Sequence, residues 1–133
     1  MRFLALDIGE RRTGVAYLDQ DNVGFIMPLP TIHHANEQEL LDAVQKILSE
    51  RKIERVIVGL PYLLSGKEGS QAAFVRARAE DIRKLGVEIS FTDERFSSRK
   101  TSPMEEAKDG SPLLKADIDG MAACAILEAF IRH

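Results

Sequence analysis

The chain reads as an α/β domain, a mixed sheet with helices packed on it. Two observations predict this. The first third carries three short apolar or alternating runs joined by brief linkers, which is how neighbouring antiparallel strands look. Beyond residue 36 the apolar residues recur at helical spacing in three segments, and a short strand-like run separates each from the next. At 133 residues the chain is large enough for one domain with one sizeable core, so a single domain over 1–133 is expected.

Phe3 to Ile8 is the first expected strand and Gly14 to Leu18 the second. Val23 to Ile32 is the third, interrupted by Pro28 and Pro30. A helix follows from Glu37 to Arg51, where Leu40, Leu41, Val44, Ile47 and Leu48 share one face and Asn36 is available as N-cap. Arg55 to Gly59 is a short buried strand. Gln71 to Leu85 is a second helix with Ala72, Val75, Ala79 and Ile82 as its apolar stripe, and Gly86 stops it. Val87 to Thr92 alternates Val, Ile and Phe with Glu, Ser and Thr, the period of a strand. Ser97 to Lys115 is polar and rich in turn formers, although Ser102-Pro103-Met104-Glu105 has the cap, first-turn proline and capping acid of a short helix. The last helix is expected from Ile118 to Ile131, burying Ala122, Ala123, Ile126, Leu127 and Phe130, with Asp117 as its N-cap.

Composition excludes several classes. One cysteine, Cys124, rules out a disulfide framework and reads as a small core residue. The apolar run after Met1 is too short for a signal peptide and no stretch approaches membrane-spanning length, so a cytoplasmic protein is expected. A net charge of −3 gives no basic footprint for the domain as a whole. Positive charge nevertheless gathers locally: Arg11-Arg12, Arg95 and Arg99-Lys100 each follow closely on an acid with a candidate role.

Those acids are the chemical signal. Asp7 closes an apolar strand and Gly9 lets the chain turn at once, which is where open α/β sheets place ligands; the alternative is an aspartate that hydrogen-bonds its own turn. Asp119 precedes Ala122, Ala123 and Ile126 by three, four and seven residues, so its carboxylate lies on the apolar face of the last helix. Asp93 and Glu94 end the last strand on opposite faces, Asp93 with Val87, Ile89 and Phe91, Glu94 with Ser90 and Thr92. Periodicity alone leaves open which of the two faces a site. Carboxylates brought together repel, raise one another's pKa and cost folding energy unless they share a cation, so a divalent metal site is the leading expectation.

The remaining candidates carry less. The loop from Leu60 to Gly69 leads to a helix start, where free amides attract phosphate and Lys67 adds charge. Tyr62 either stacks on a base or packs beside Pro61. His33 and His34 lie in a polar turn without metal-ligand spacing, and Ser97-Ser98 lack a base, so none receives a role.

Four dispersed motifs, Asp7-Ile8-Gly9-Glu10-Arg11-Arg12-Thr13-Gly14-Val15-Ala16, Val58-Gly59-Leu60-Pro61 with Gly66 and Gly69, Asp93-Glu94-Arg95, and Asp119 with Ala122-Ala123, closely resemble the YqgF family. Its members are variously described as pre-16S rRNA nucleases and Holliday junction resolvases. The match runs nearly end to end. The resemblance implies a ribonuclease-H-like fold, a mixed five-stranded sheet in which a three-strand antiparallel meander is joined by two parallel strands, flanked by helices. It implies that Asp7, Glu94 (or Asp93) and Asp119 hold divalent cations, with Arg12 and Arg95 as the motif arginines; all-oxygen ligands fit Mg²⁺ or Mn²⁺, and Arg12, Arg95 and Lys67 are expected to position substrate phosphates. The expected activity is metal-dependent phosphodiester hydrolysis, in processing of the 5′ end of pre-16S rRNA or, alternatively, of branched DNA. Phe96-Ser97-Ser98 departs from the aliphatic residue and threonine usual after the acid-acid-arginine triplet.

Two other classes compete. A strand followed by Asp-x-Gly also opens the phosphate site of actin-like and sugar-kinase ATPases, which need two such domains. A member of the same family could instead bind RNA without cleaving it. No helix shows a second apolar face that demands a partner, so a monomer or weak homodimer is expected.

Overall fold

A computed structural model describes residues 1–21, 24–61, 68–93 and 115–132, and for 115–117 the backbone alone. The elements are β1 (Arg2–Ile8), β2 (Arg12–Asp19), β3 (Met27–His33), α1 (Glu37–Arg51), β4 (Arg55–Leu60), α2 (Ser70–Arg83), β5 (Glu88–Asp93) and α3 (Lys115–Arg132). They form one five-stranded sheet in the order β3-β2-β1-β4-β5. β1 to β3 are an antiparallel meander, while β4 runs parallel to β1 and β5 parallel to β4. The expected mixed sheet is therefore the observed one.

β1 and β4 are unbroken apolar runs because both of their faces are covered. Leu4, Leu6, Ile8, Val15, Val56, Val58 and Leu60 lie in one core cluster with Leu40 and Val44 of α1 and Ala72, Val75, Ala79 and Ile82 of α2. Phe3, Ala5, Ala16, Leu18 and Ile57 lie in a second with Ala123, Ile126 and Leu127 of α3. Full burial of each Ile or Leu in these layers contributes about 1.5–3 kcal/mol. Alternation along β1 and β4 thus assigns each side chain to the α1/α2 side or to the α3 side.

α1 has the expected bounds. Asn36 Oδ1 accepts from the amide of Glu39 at 2.9 Å, and Glu39 Oε1 accepts from the amide of Ala35 at 2.7 Å, so the two side chains satisfy amides at the helix start reciprocally. At the other end Lys52 adopts a left-handed conformation, φ 52°, and its amide returns to the Leu48 carbonyl. An ion pair between Arg78 and Glu37 ties α2 to α1.

Three expectations change. β3 begins at Met27, later than Val23, and the exposed Pro28 and Pro30 are tolerated because β3 is an edge strand. α3 begins at Lys115, so Asp117 lies within the helix and is not its cap. His34, expected in a polar turn, follows the end of β3 and is buried. The short helix expected at Ser102–Glu105, and Tyr62, Ser97 and Ser98, lie outside the described residues. Cys124 is half-buried beside the α3-side core, and Ile118 and Met121 of α3 are exposed. Among the described residues no helix is long and apolar enough to cross a membrane.

Candidate active site

Asp7 follows Ala5 by two residues on β1 and so belongs to the α3 side of the sheet, near the carboxyl end shared by the parallel strands β1 and β4. Its partner across the β1/β2 ladder is Gly14. A Cβ at position 14 would collide with the backbone of Asp119, with the Asp119 Cα only 3.2 Å away. α3 can therefore lie directly on β2 at this one position, which delivers Asp119 from near the end of the chain to the strand beside Asp7. The ladder between β2 and β3 also slips register between Thr13 and Val15: Thr13 pairs with Ile32 and Val15 with Leu29, so β3 carries an extra residue opposite the same glycine.

The turn from β1 to β2 is equally tight. A Cβ on Gly9 would approach the Arg12 carbonyl oxygen to 2.5 Å, closer than such contacts occur. The turn folds Arg12 back over the site, where its Nε donates to Asp119 Oδ2 at 3.0 Å. The Arg12 side chain is 40% exposed and that of Asp119 18%. An ion pair this wet contributes no more than about 1 kcal/mol, so another cation can displace the guanidinium.

Asp7, Ile8, Gly9, Glu10, Arg11, Arg12 and Asp119 line an open pocket of about 290 Å³. Among the described residues its charged groups are three acids and two arginines, the first able to receive cations and the second phosphate. Among the described residues, no group of three or more His, Cys, Asp or Glu is placed to hold a metal ion. Asp7 and Asp119, which both line this pocket, nevertheless carry hard carboxylate oxygens, the donor chemistry that Mg²⁺ and Mn²⁺ take.

Of the residues singled out in the sequence, the structure thus brings Asp7, Arg12 and Asp119 together. It does not bring Asp93. That residue pairs with Leu60 and continues the face of Phe91 and Ile89, which pack against the α1/α2 core, while the Arg76 guanidinium covers the Phe91 ring at 4.9 Å. Asp93 is therefore assigned to the face opposite Asp7. Glu94, Arg95 and Lys67 lie outside the described residues.

Two features were not foreseen. Glu10 lines the pocket; as an exposed turn residue it carries no periodic signal. His34 pairs with Thr13, its Nε2 lying 2.9 Å from Thr13 Oγ1, with both residues buried. A signal did exist here, because His34 follows the buried Ile32 by two residues, the strand period. Burial holds the His34 imidazole below its usual pKa of 6.5, outweighing the opposing influence of Glu39.

Comparison with known proteins gives consistent results. A family model described as RuvX, Holliday junction resolvase, matches residues 1–133. A protein from an Anaeromyxobacter species (strain Fw109-5) named "Putative pre-16S rRNA nuclease" is 34% identical over 137 residues, covering 100% of this chain and 99% of its own. A protein of the same name from Chloroflexus aurantiacus is 35% identical over 130 residues, covering 96% and 84%. Among solved structures, Thermus thermophilus RuvC superposes with a TM-score of 0.64 at 12% identity, over 99% of this chain and 96% of that one. RuvC in complex with a Holliday junction substrate gives 0.60 at the same identity. The likeness to RuvC shows the fold, which is ribonuclease-H-like.

Proposed function

The chain belongs to the RuvX family, described as Holliday junction resolvases, and from that premise we propose that it is a divalent-metal-dependent nuclease acting in 5′-end processing of pre-16S rRNA. The observation that carries the reading is the meeting of Asp7 and Asp119, from the first strand and the last helix, in one pocket with Arg12. The relatives named for pre-16S rRNA support the choice of substrate.

In this reading Asp7, Asp119 and Glu94 hold Mg²⁺ or Mn²⁺. Glu94 is preferred to Asp93 because Asp93 belongs to the α1/α2 side of the sheet. When bound, the metal lowers the pKa of a coordinated water and neutralises charge on the phosphate in the transition state. Asp7 and Asp119 fix the position of that charge from two rigid elements. Arg12 exchanges its carboxylate partner for a phosphate oxygen, and Arg95 and Lys67 supply further phosphate contacts.

The test is an assay of the purified chain with Mn²⁺ on a precursor 16S leader RNA, with Asp7→Asn as the blank. Cleavage by the parent and none by Asp7→Asn, with RNA binding retained, is the expected result. Equal cleavage by the two, or full cleavage in chelator, contradicts the proposal. The family's description favours a second substrate, a four-way DNA junction, which belongs in the same assay; preferential symmetric cleavage of the junction would select it. RNA bound tightly and never cut would select a binding module.

A further inference from the structure

Among the described residues His34 is not part of the pocket lining, yet it is 6% exposed and its partner Thr13 is 0% exposed. A valine at position 13 and an apolar ring or chain at position 34 would fill similar space without a polar group to satisfy. A buried hydroxyl and imidazole persist at no loss only while bonded to each other. What they hold is specific. The His34 amide donates to the Arg11 carbonyl at 3.0 Å, and the His34 ring is bonded to the Thr13 hydroxyl at 2.9 Å. One residue therefore grips the chain immediately before and immediately after Arg12.

The grip falls where the sheet needs it. Thr13 pairs with Ile32 and is the last β2 residue before the β3 bulge opposite Gly14, so the regular ladder is interrupted next to it. Gly14, on the other side of Thr13, has no side chain to anchor the strand. The His34–Thr13 bond supplies a side-chain tie at the end of the paired stretch, just before the register slips. Arg12 itself carries the guanidinium that reaches Asp119.

We infer that His34 is a positioning residue for Arg12: through Thr13 and the Arg11 carbonyl it sets the strand from which Arg12 reaches the substrate phosphate. This rests on the reading of Arg12 as a phosphate contact. A long arginine held at its root loses less conformational freedom on binding, and the affinity it contributes depends on that restraint.

The experiment measures affinity for the leader RNA against salt concentration in an Asp7→Asn background, so that cleavage does not intervene. Arg12→Gln is expected to weaken binding on the order of tenfold, a charge-assisted hydrogen bond's worth, and to reduce the log–log salt slope by roughly 0.7, one single-strand phosphate contact. His34→Ala should reproduce both changes. His34→Gln, whose amide nitrogen can occupy the place of Nε2, should restore them, and the double variant should bind no worse than Arg12→Gln alone. Thr13→Val, which keeps the strand's shape, should match His34→Ala and carries the test if His34→Ala does not fold. A parental salt slope in folded His34→Ala or Thr13→Val, or losses that add in the double variant, overturns the inference while leaving the nuclease reading intact. Unchanged binding by Arg12→Gln, or no binding of RNA by the parent, overturns the role of Arg12 and the inference with it.

Discussion

Gly14 presses against the backbone of Asp119, so closely that a methyl group at position 14 would overlap the Asp119 carbonyl. Gly14 is also the cross-strand partner of Asp7, so this one position touches the backbone of both acids of the pocket.

Gly14→Ala is expected to lift the start of α3 from β2. Overpacking of this kind costs about 1–3 kcal/mol, and the displaced Asp119 should weaken Mn²⁺ binding as well. Thermal melts and calorimetric metal titration of the variant check both effects. A variant with parental stability and metal affinity would show that α3 reaches its place without this contact.

Arg12 and a metal ion compete for Asp119. Removing the guanidinium in Arg12→Gln should tighten Mn²⁺ binding in the absence of nucleic acid by roughly fivefold, since one charge a few ångströms away is worth about 1 kcal/mol in a well-solvated site. The same substitution weakens RNA binding. Opposite signs for the two ligands, read by calorimetry and by RNA titration, are the expected outcome; weaker binding of both ligands contradicts the competition.

The two acids after Phe91 should behave differently. Glu94→Gln is expected to reduce cleavage by more than about a hundredfold, beyond what loss of a mere outer-shell partner costs. Asp93→Asn, on the face that packs toward α1 and α2, should leave most activity in place. Single-turnover rates for the two variants decide the assignment, and the reverse order of damage would move the ligand role to Asp93.

Acid should loosen the fold through His34. Burial lowers its pKa from 6.5, against Glu39, which raises it, and with His33, which lowers it further. As pH falls through 6.5 the unfolded chain takes up a proton that the native state resists. The contribution is therefore complete above 6.5 and is lost progressively below it, toward the folded pKa. Urea unfolding on either side of pH 6.5 should show this decline, and His34→Gln should flatten it.

Much of this molecule is written locally. The apolar runs of β1 and β4, the stripe of α2 and the Asn36 cap of α1 are short-range patterns, and each element lies within a few residues of where those patterns put it. The dispersed acids were also legible, because a carboxylate on an otherwise apolar helix face, as at Asp119, stands out against its neighbours. Asp117 reads as a cap in the sequence yet lies inside α3, since a helix end depends on what it packs against as much as on its capping residue.

Three things were decided only by the tertiary structure. Which side of β5 faces Asp7 depends on which helix covers each face, a fact that alternation alone does not contain. The approach of Asp119 to Asp7 needed the missing Cβ of Gly14 beneath a helix more than a hundred residues later in the chain. The grip of His34 on Thr13 needed two strands to close around a bulge. Period and propensity act over one or two turns of chain, whereas a site is made by close contacts between segments that meet only when the sheet and its helices pack.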